Sequence, residues 1–469
     1  MGSAAPRIAY LSYSSGLFDA RTFRMARWAV AAGFEVTVYA RWEPGLPFVE
    51  ERDGYRLVRA PWDWRQLLPR RRRVASSDRA ADAAAVGGWS RADQPPERAV
   101  RSDPASAAAS TAASPAGSPR TERSTLVRLA VAPVRAARRW LRLLVRYPVL
   151  PLGWARALED VAEPADIWHG MWAGSLPALV RLRRRHGGLT VYDSRDVYME
   201  SRHLATSPRP LRAVMGWFER RWARRADRII TVNASYARLL AARFGVPEPP
   251  VVMNCPDAWE PPVPRPDLIR AALDVPADTH VVLYQGQLIS DRGIEQAMDA
   301  ILEVPDAVLV LLGFGAWVER YRAMAATPPY HGRVHLLPAV DPSELVAWTA
   351  SADVMVMPIQ PTSLNHRFTT PQKLFESIAA GVPVVASNLP GMAEVVLEIG
   401  AGALCDPTSP ASIGAALRTV LALDPAELVA MRARIIRAAH ERYNWGQQVA
   451  VLAGIYRDLS PKGEPVGAR

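Results

Sequence analysis

Arg367-Phe368-Thr369-Thr370-Pro371-Gln372-Lys373-Leu374-Phe375-Glu376, followed closely by Ala380-Gly381-Val382-Pro383-Val384-Val385, reads as a loop, a helix, a glycine turn and an apolar strand. The first amides of such a helix have no partner inside it and carry the positive end of its dipole. With Lys373 in that first turn, the loop end is suited to an anion. Glu376 lies one turn further along. It either receives ribose hydroxyls, as acidic residues do in dinucleotide-binding folds, or pairs with Lys373 on the helix surface, and the spacing leaves both open.

A matching crevice lies upstream. Tyr284-Gln285-Gly286-Gln287 ends a strand, and Asp291-Arg292-Gly293-Ile294-Glu295 opens the next helix, so backbone amides and one guanidinium face the same space. A plain glycine turn between strand and helix would read the same way. Strand signals recur at Val281 to Tyr284, Val308 to Leu312 (closed by Gly313), Val334 to Leu336, Val354 to Met357 and Val384 to Ala386, each followed by a turn and a helical run. The last helical region, about Pro425 to Leu459, places Trp445, Val449, Leu452 and Tyr456 at helical spacing, suited to packing on a domain.

The N-terminal half repeats the alternation. Ile8 to Ser12, the Ser14-Ser15-Gly16 turn, a helix from Arg21 to Ala32 and the strand Val36 to Ala40 form a βαβ unit, with the Gly16 loop at the carboxyl end of the first strand, where doubly wound sheets bind ligands. Strands at Asp166 to Trp168, Thr190 to Asp193 and Arg228 to Val232 continue the sheet, separated by helices at Ser175 to Arg185 and Leu211 to Ala226. The proline-rich stretch from Pro247 to Pro266 is the expected linker. The expected division is therefore an N-terminal domain over 1–255, a C-terminal domain over 256–440 and a terminal helix and tail over 441–469, the helix returning toward the first domain.

Within the first domain, about 70–125 collapses into Ala, Ser, Pro, Asp and Arg and lacks the apolar surface to offset ordering entropy, which predicts a disordered insertion. Over 133–147 the spacing predicts a basic amphipathic helix, with Arg135, Arg138, Arg139, Arg142 and Arg146 on one face. It fits either docking on an anionic membrane or a solvated cover over the domain. Trp62, Trp64, Trp140 and Trp154 nearby suit an interface or a core.

Bulk properties bound these readings. The chain has 469 residues, too many for one compact core, and its 57 Lys and Arg against 46 Asp and Glu point to a polyanionic partner or surface. No zinc spacing or aromatic-basic RNA signature argues for nucleic acid. Two cysteines without CxxC spacing fit a reducing compartment. The N-terminus lacks a signal-peptide pattern, and no segment reaches the roughly 18 apolar residues that a membrane span needs. The expected location is cytoplasmic, with any membrane contact peripheral.

Tyr284 to Glu295, Pro371 to Val385, Asn388 to Pro390 and Cys405 to Pro407 together resemble the retaining nucleotide-sugar glycosyltransferases of family 4 (glycosyl transferases group 1). Asp19 to Val38 and Ala226 to Val232 resemble the same family's first domain. The resemblance implies the GT-B fold, two Rossmann-like doubly wound α/β domains facing a cleft, and a nucleotide diphosphate sugar as substrate with no cofactor or metal. It places Gly16, Gly286, Gln287, Arg292, Gly313, Thr369, Thr370, Pro371, Gln372, Lys373 and Glu376 at the donor, Gly16 near the transferred sugar and Glu376 on the ribose. Arg292 and Lys373 would neutralise the leaving diphosphate. Retention follows from resemblance alone, and the acceptor is expected to be lipid-linked or a glycan, the lipid-linked case going with the membrane reading of 133–147.

Departures matter for mechanism. Many relatives carry a second glutamate eight positions before the ribose ligand, where this chain has Phe368, and a histidine where it has Ser194-Arg195-Asp196. Arg195 cannot serve as a base but could hold a phosphate or the acceptor. Asp193 and Asp196 suit acceptor contacts better than metal binding. His169 could substitute in the cleft or be a packed histidine. Two alternatives remain: a catalytically silent nucleotide-sugar binding protein, favoured by Phe368 and Arg195 but not by the intact donor motif, and a nucleotide-sugar epimerase, which needs more acid and base groups than the cleft offers.

Overall fold

The computed structural model describes residues 5–17, 19–62, 64–67, 149–201, 204 and 207–459. The expected insertion at about 70–125 and the arginine-faced helix at 133–147 lie outside the described residues, as does Trp140. β1 (Arg7–Ser12), β2 (Glu35–Arg41), β3 (Val49–Arg52), β4 (Tyr55–Ala60), β5 (Ile167–Met171), β6 (Leu189–Ser194) and β7 (Arg228–Thr231) form one sheet in the order β3-β4-β2-β1-β5-β6-β7. All neighbours are parallel except the β3–β4 hairpin. That hairpin was not read from the sequence. It turns on Asp53-Gly54, both at positive φ (47° and 81°), the geometry that favours this dipeptide in two-residue turns.

A second sheet holds β8 (His280–Gln287), β9 (Ala307–Phe314), β10 (Val334–Pro338), β11 (Val354–Met357), β12 (Val384–Ser387) and β13 (Gly402–Cys405), in the order β10-β9-β8-β11-β12-β13. Both sheets are covered on both faces, so their strands are nearly continuous apolar runs. Ile8, Tyr10, Val38 and Ile167 pack on one side of the first sheet, Ala9, Leu11, Tyr39 and Trp168 on the other. Trp154 belongs to this second core, fully buried with its indole N–H on the Ala40 carbonyl, and so forms no interface. Strand order reverses between β1 and β5 in one sheet and between β8 and β11 in the other, and such switch points open crevices at the strands' carboxyl ends.

Two segments join the domains. The chain leaves β7 through 247–266, and near the end it breaks at Asn444 between helices Pro425–Glu441 and Trp445–Leu459. Asn444 caps the second helix by accepting from the Gln447 amide. The first helix packs on the second domain through Ile435 and Ala439. The second returns to the first domain, where Trp445, Leu452 and Tyr456 are buried and Val449 packs against the same core. Tyr456 reaches through to His169 in β5, hydroxyl to Nδ1 at 2.5 Å. Tyr456→Phe should therefore strand a buried imidazole nitrogen and cost about 1–3 kcal/mol, measured by urea denaturation; an unchanged midpoint would show that this contact does not anchor the helix.

Candidate functional site

The residues expected at the donor gather where β8 ends. Gly286 (φ 114°) and Gly313 (φ 158°) lie side by side at the ends of β8 and β9, and a Cβ on Gly313 would sit 1.9 Å from the Gly286 carbonyl oxygen. Helix Gln372–Ala379 points its N-terminus at this edge, with Pro371 as the residue before its first turn. Lys373 Nζ lies 3.6 Å from the centre of the Tyr284 ring, buried and without a hydrogen-bond partner. Burial, then the nearby Arg292, push its pKa well below the ordinary lysine value, with Glu376 opposing.

Glu376 is buried and accepts from Gln285 Nε2 at 2.5 Å, while Gln285 Oε1 accepts from Thr349. Its pKa is raised by burial, partly offset by the Gln285 bond and by Lys373. The reading of Glu376 as half of a surface ion pair is thereby corrected: both groups face inward, and their charges are oriented by separate partners. Thr370 accepts from Asn233 Nδ2, and Gln372 from Asn254, so both are tied to the other domain. Phe368 packs with Val197, Val232 and Tyr236 of the first domain. The position that was expected to face the donor sugar instead seals the domain contact. Asn365, whose side chain accepts from the Val197 amide and whose carbonyl accepts from Tyr236, adds to that seam. Nothing in its sequence context marks Asn365 beforehand.

On the opposite side, Arg195 and Asp196 follow β6 and line a pocket with Ser12, Ser14, Asp19 and the half-buried Tyr13, Trp62, Trp172 and Arg41. Gly16 (φ 75°) lies in the adjoining β1 loop. Arg195 binds Asp19 at 2.6 Å and Thr22 at 2.8 Å. Burial opposes ionisation of Asp19, yet Arg195 and the hydroxyls of Ser12 and Thr22 bring its pKa down to about 2. Asp196 projects into the open cleft, low enough that lost solvation raises its pKa against the pull of Arg195 and of Arg292 from the other domain.

Two expected cleft residues lie elsewhere. Asp193 is fully buried, its carboxylate held by Arg21 at 2.7 Å, and this excludes contact with an acceptor from solvent. Although burial works against its charge, Arg21 and Arg195 hold its pKa below the ordinary value. His169 is mid-strand, between Tyr10 and Tyr456, under the returning helix. A catalytic role does not fit that position. Among the described residues, no group of three or more His, Cys, Asp and Glu side chains could hold a metal, and no helix is long and apolar enough to cross a membrane.

Two doubly wound sheets facing a shared cleft, with a last helix crossing back, define the GT-B class of fold. Solved structures agree. Sucrose-phosphate synthase from Thermosynechococcus elongatus superposes with a TM-score of 0.67 at 18% identity, covering 97% of this chain and 99% of that one. Anabaena HepE, solved in complex with UDP, superposes at 0.62 and 14% identity over 97% and 100%. By sequence, residues 109–256 match the family described as Glycosyltransferase Family 4 and residues 267–442 match Glycosyl transferases group 1. The chain belongs to this glycosyltransferase family. A D-inositol 3-phosphate glycosyltransferase of Acidothermus cellulolyticus is 31% identical over 270 residues, 54% of this chain and 57% of that protein. A glycogen synthase of Mycobacterium tuberculosis is 29% identical over 267 residues, 53% and 57%. The chain thus spans little more than half the length of these relatives.

His169 also makes stability depend on pH. Burial lowers its pKa to about 3, with Arg21 and Arg195 adding and Asp193 opposing. Between about pH 6.5 and 3 the unfolded chain binds a proton that the folded chain refuses, so this residue makes stability rise with pH through that window. Relative to His169→Phe, the wild type should lose about 2 kcal/mol between pH 7 and pH 5, read by urea denaturation at each pH. The missing Tyr456 partner adds only a constant offset. A pH-independent difference would mean the imidazole does not resist protonation.

Proposed function

We propose that the chain transfers a sugar from a nucleoside diphosphate sugar to an acceptor held on the first domain, with retention and without a metal ion. The observation that carries this reading is the Lys373 ammonium, buried without a hydrogen-bond partner beside the Gly286 edge. An unpartnered buried cation is costly unless an anion completes it. A diphosphate fits: its oxygens would meet Lys373, Arg292 and the free amides of helix Gln372–Ala379, and the ribose hydroxyls would meet Glu376. Gly286 keeps the β8 edge low enough for close approach, and Gly313 lets the neighbouring backbone pack against it. The UDP seen with Anabaena HepE makes a uridine nucleotide the first candidate.

The chemistry is electrostatic. As the bond from the anomeric carbon to the diphosphate oxygen breaks, charge builds on that oxygen, where Arg292, Lys373 and the helix end are already placed. The acceptor hydroxyl oxygen bonds to the anomeric carbon and its proton leaves with the diphosphate. Calorimetric titration with UDP, GDP, ADP and dTDP, with and without magnesium, tests the reading. One nucleotide, expected to be UDP, should bind irrespective of magnesium, and Lys373→Met and Glu376→Ala should each weaken it at least about tenfold, the loss of one charge-assisted hydrogen bond. Lys373→Met should at the same time raise the unliganded protein's stability by about 1 kcal/mol or more, because a buried amine without a hydrogen-bond partner is removed. Failure of all four nucleotides to bind would sink the proposal.

A further inference from the structure

The pocket under Arg195 and Asp196 has a volume of about 440 Å³ and a wall unusually rich in aromatic rings. Tyr13 and Trp172 lie 22° from parallel with centroids 6.4 Å apart, and Trp62 stands edge-on to Tyr13 at 6.4 Å. The Arg41 guanidinium lies over both Tyr13 (4.8 Å) and Trp62 (4.4 Å), and its buried Nε has no hydrogen-bond partner. Resting on the reading of the chain as a sugar-nucleotide transferase, we propose that this pocket holds the acceptor as a neutral saccharide, one pyranose ring laid against the Tyr13, Trp62 and Trp172 wall and its hydroxyls shared between Arg41, Arg195 and Asp196.

Three observations support that class of ligand. The first is backbone strain. Trp172 sits at φ 68° and ψ 159°, a region that is nearly the preserve of glycine. It is held there because its amide donates to the Asp193 carbonyl, while its own carbonyl accepts from the Ser175 amide and hydroxyl. Glycine would serve the turn without strain, so the indole is kept for its ring. An aromatic face suits the apolar C–H face of a pyranose.

The second is charge. Both arginines already have carboxylate neighbours, Arg195 with Asp19 at 2.6 Å and Arg41 with Glu43 at 3.4 Å, and Asp196 projects into the same space. A phosphorylated acceptor would meet a carboxylate as often as a guanidinium. Hydroxyls, which donate and accept, satisfy both. The third is position: Asp196 follows the carboxyl end of β6, the side of the sheet on which the switch-point crevice opens, and is the exposed member of the pocket wall.

The full chain, with and without saturating UDP, is titrated with the methyl pyranosides of glucose, mannose and galactose, maltose, myo-inositol and myo-inositol 1-phosphate, read by tryptophan fluorescence and saturation-transfer NMR. At least one neutral saccharide should bind. Trp172→Gly and Trp62→Ala should each weaken it at least tenfold while leaving UDP binding unchanged, the unchanged nucleotide site showing that the fold survives the lost packing of Trp172 on Tyr198. Saccharide binding that survives both variants, binding of the inositol phosphate alone, or no binding of any probe to a chain that still binds UDP overturns the proposal. Saccharide binding lost in both variants of a chain that binds no nucleotide supports the pocket and overturns the donor reading instead.

Discussion

The buried ion pair between Arg21 and Asp193 anchors a chain of contacts that reaches from the first sheet to the second domain. Asp193 is the penultimate residue of β6, and Arg21 lies in the first turn of helix Ala20–Ala31 that follows β1, so the pair ties two strands' carboxyl ends together. Arg21 also donates to the Met253 carbonyl, and Arg24, one turn on, donates to the Asn254 side chain and to the Cys255 carbonyl. Asn254 in turn donates to Gln372, the first residue of the donor helix. A line of polar contacts therefore runs from the first domain's core through the linker to the second domain's site. Removing one member of such a pair leaves an uncompensated charge in the interior, at about 3–5 kcal/mol, whereas forming it contributes far less, so the pair serves geometry more than stability.

The donor side is organised by an imbalance. Lys373 rests on Tyr284 and Glu376 on Gln285, and neither neutralises the other through direct contact. The folded chain holds this arrangement in place at an energetic cost. The same pattern recurs opposite, where Trp172 is kept in a strained backbone by the Asp193 carbonyl and by Ser175. Both arrangements are fixed by the surrounding structure, which is what the proposed electrostatic catalysis and selective binding would require.

Much of this was legible in the sequence, and what was not has identifiable causes. The two doubly wound sheets could be read because parallel strands and the turns between strand and helix use local signals that do not depend on distant partners. The returning helix could be read from the spacing of Trp445, Val449, Leu452 and Tyr456. Misplaced residues were those whose surroundings are non-local. Asp193 and His169 follow or sit within strands that point at the cleft, yet which face they occupy depends on pairing with Arg21 and Tyr456, the latter 287 positions away. Phe368 was read as a missing sugar contact because the first-domain residues Val197, Val232 and Tyr236 that receive it are remote in sequence. The β3–β4 hairpin carried its signal openly in Asp53-Gly54.

The double crossing between the domains has a mechanical meaning. The linker and the break at Asn444 are bonded to each other: the Trp445 amide donates to the Pro256 carbonyl, and the Met253 amide to the Gln448 side chain. Two adjacent attachments behave as the leaves of a door hinge, where a single tether would be a swivel. Torsion of one domain against the other would have to shear those bonds, while a swing about the line through them would not. The seam of Asn365, Phe368 and Asn233 adds a further fastening, so the two half-sites are held against each other at more than one place.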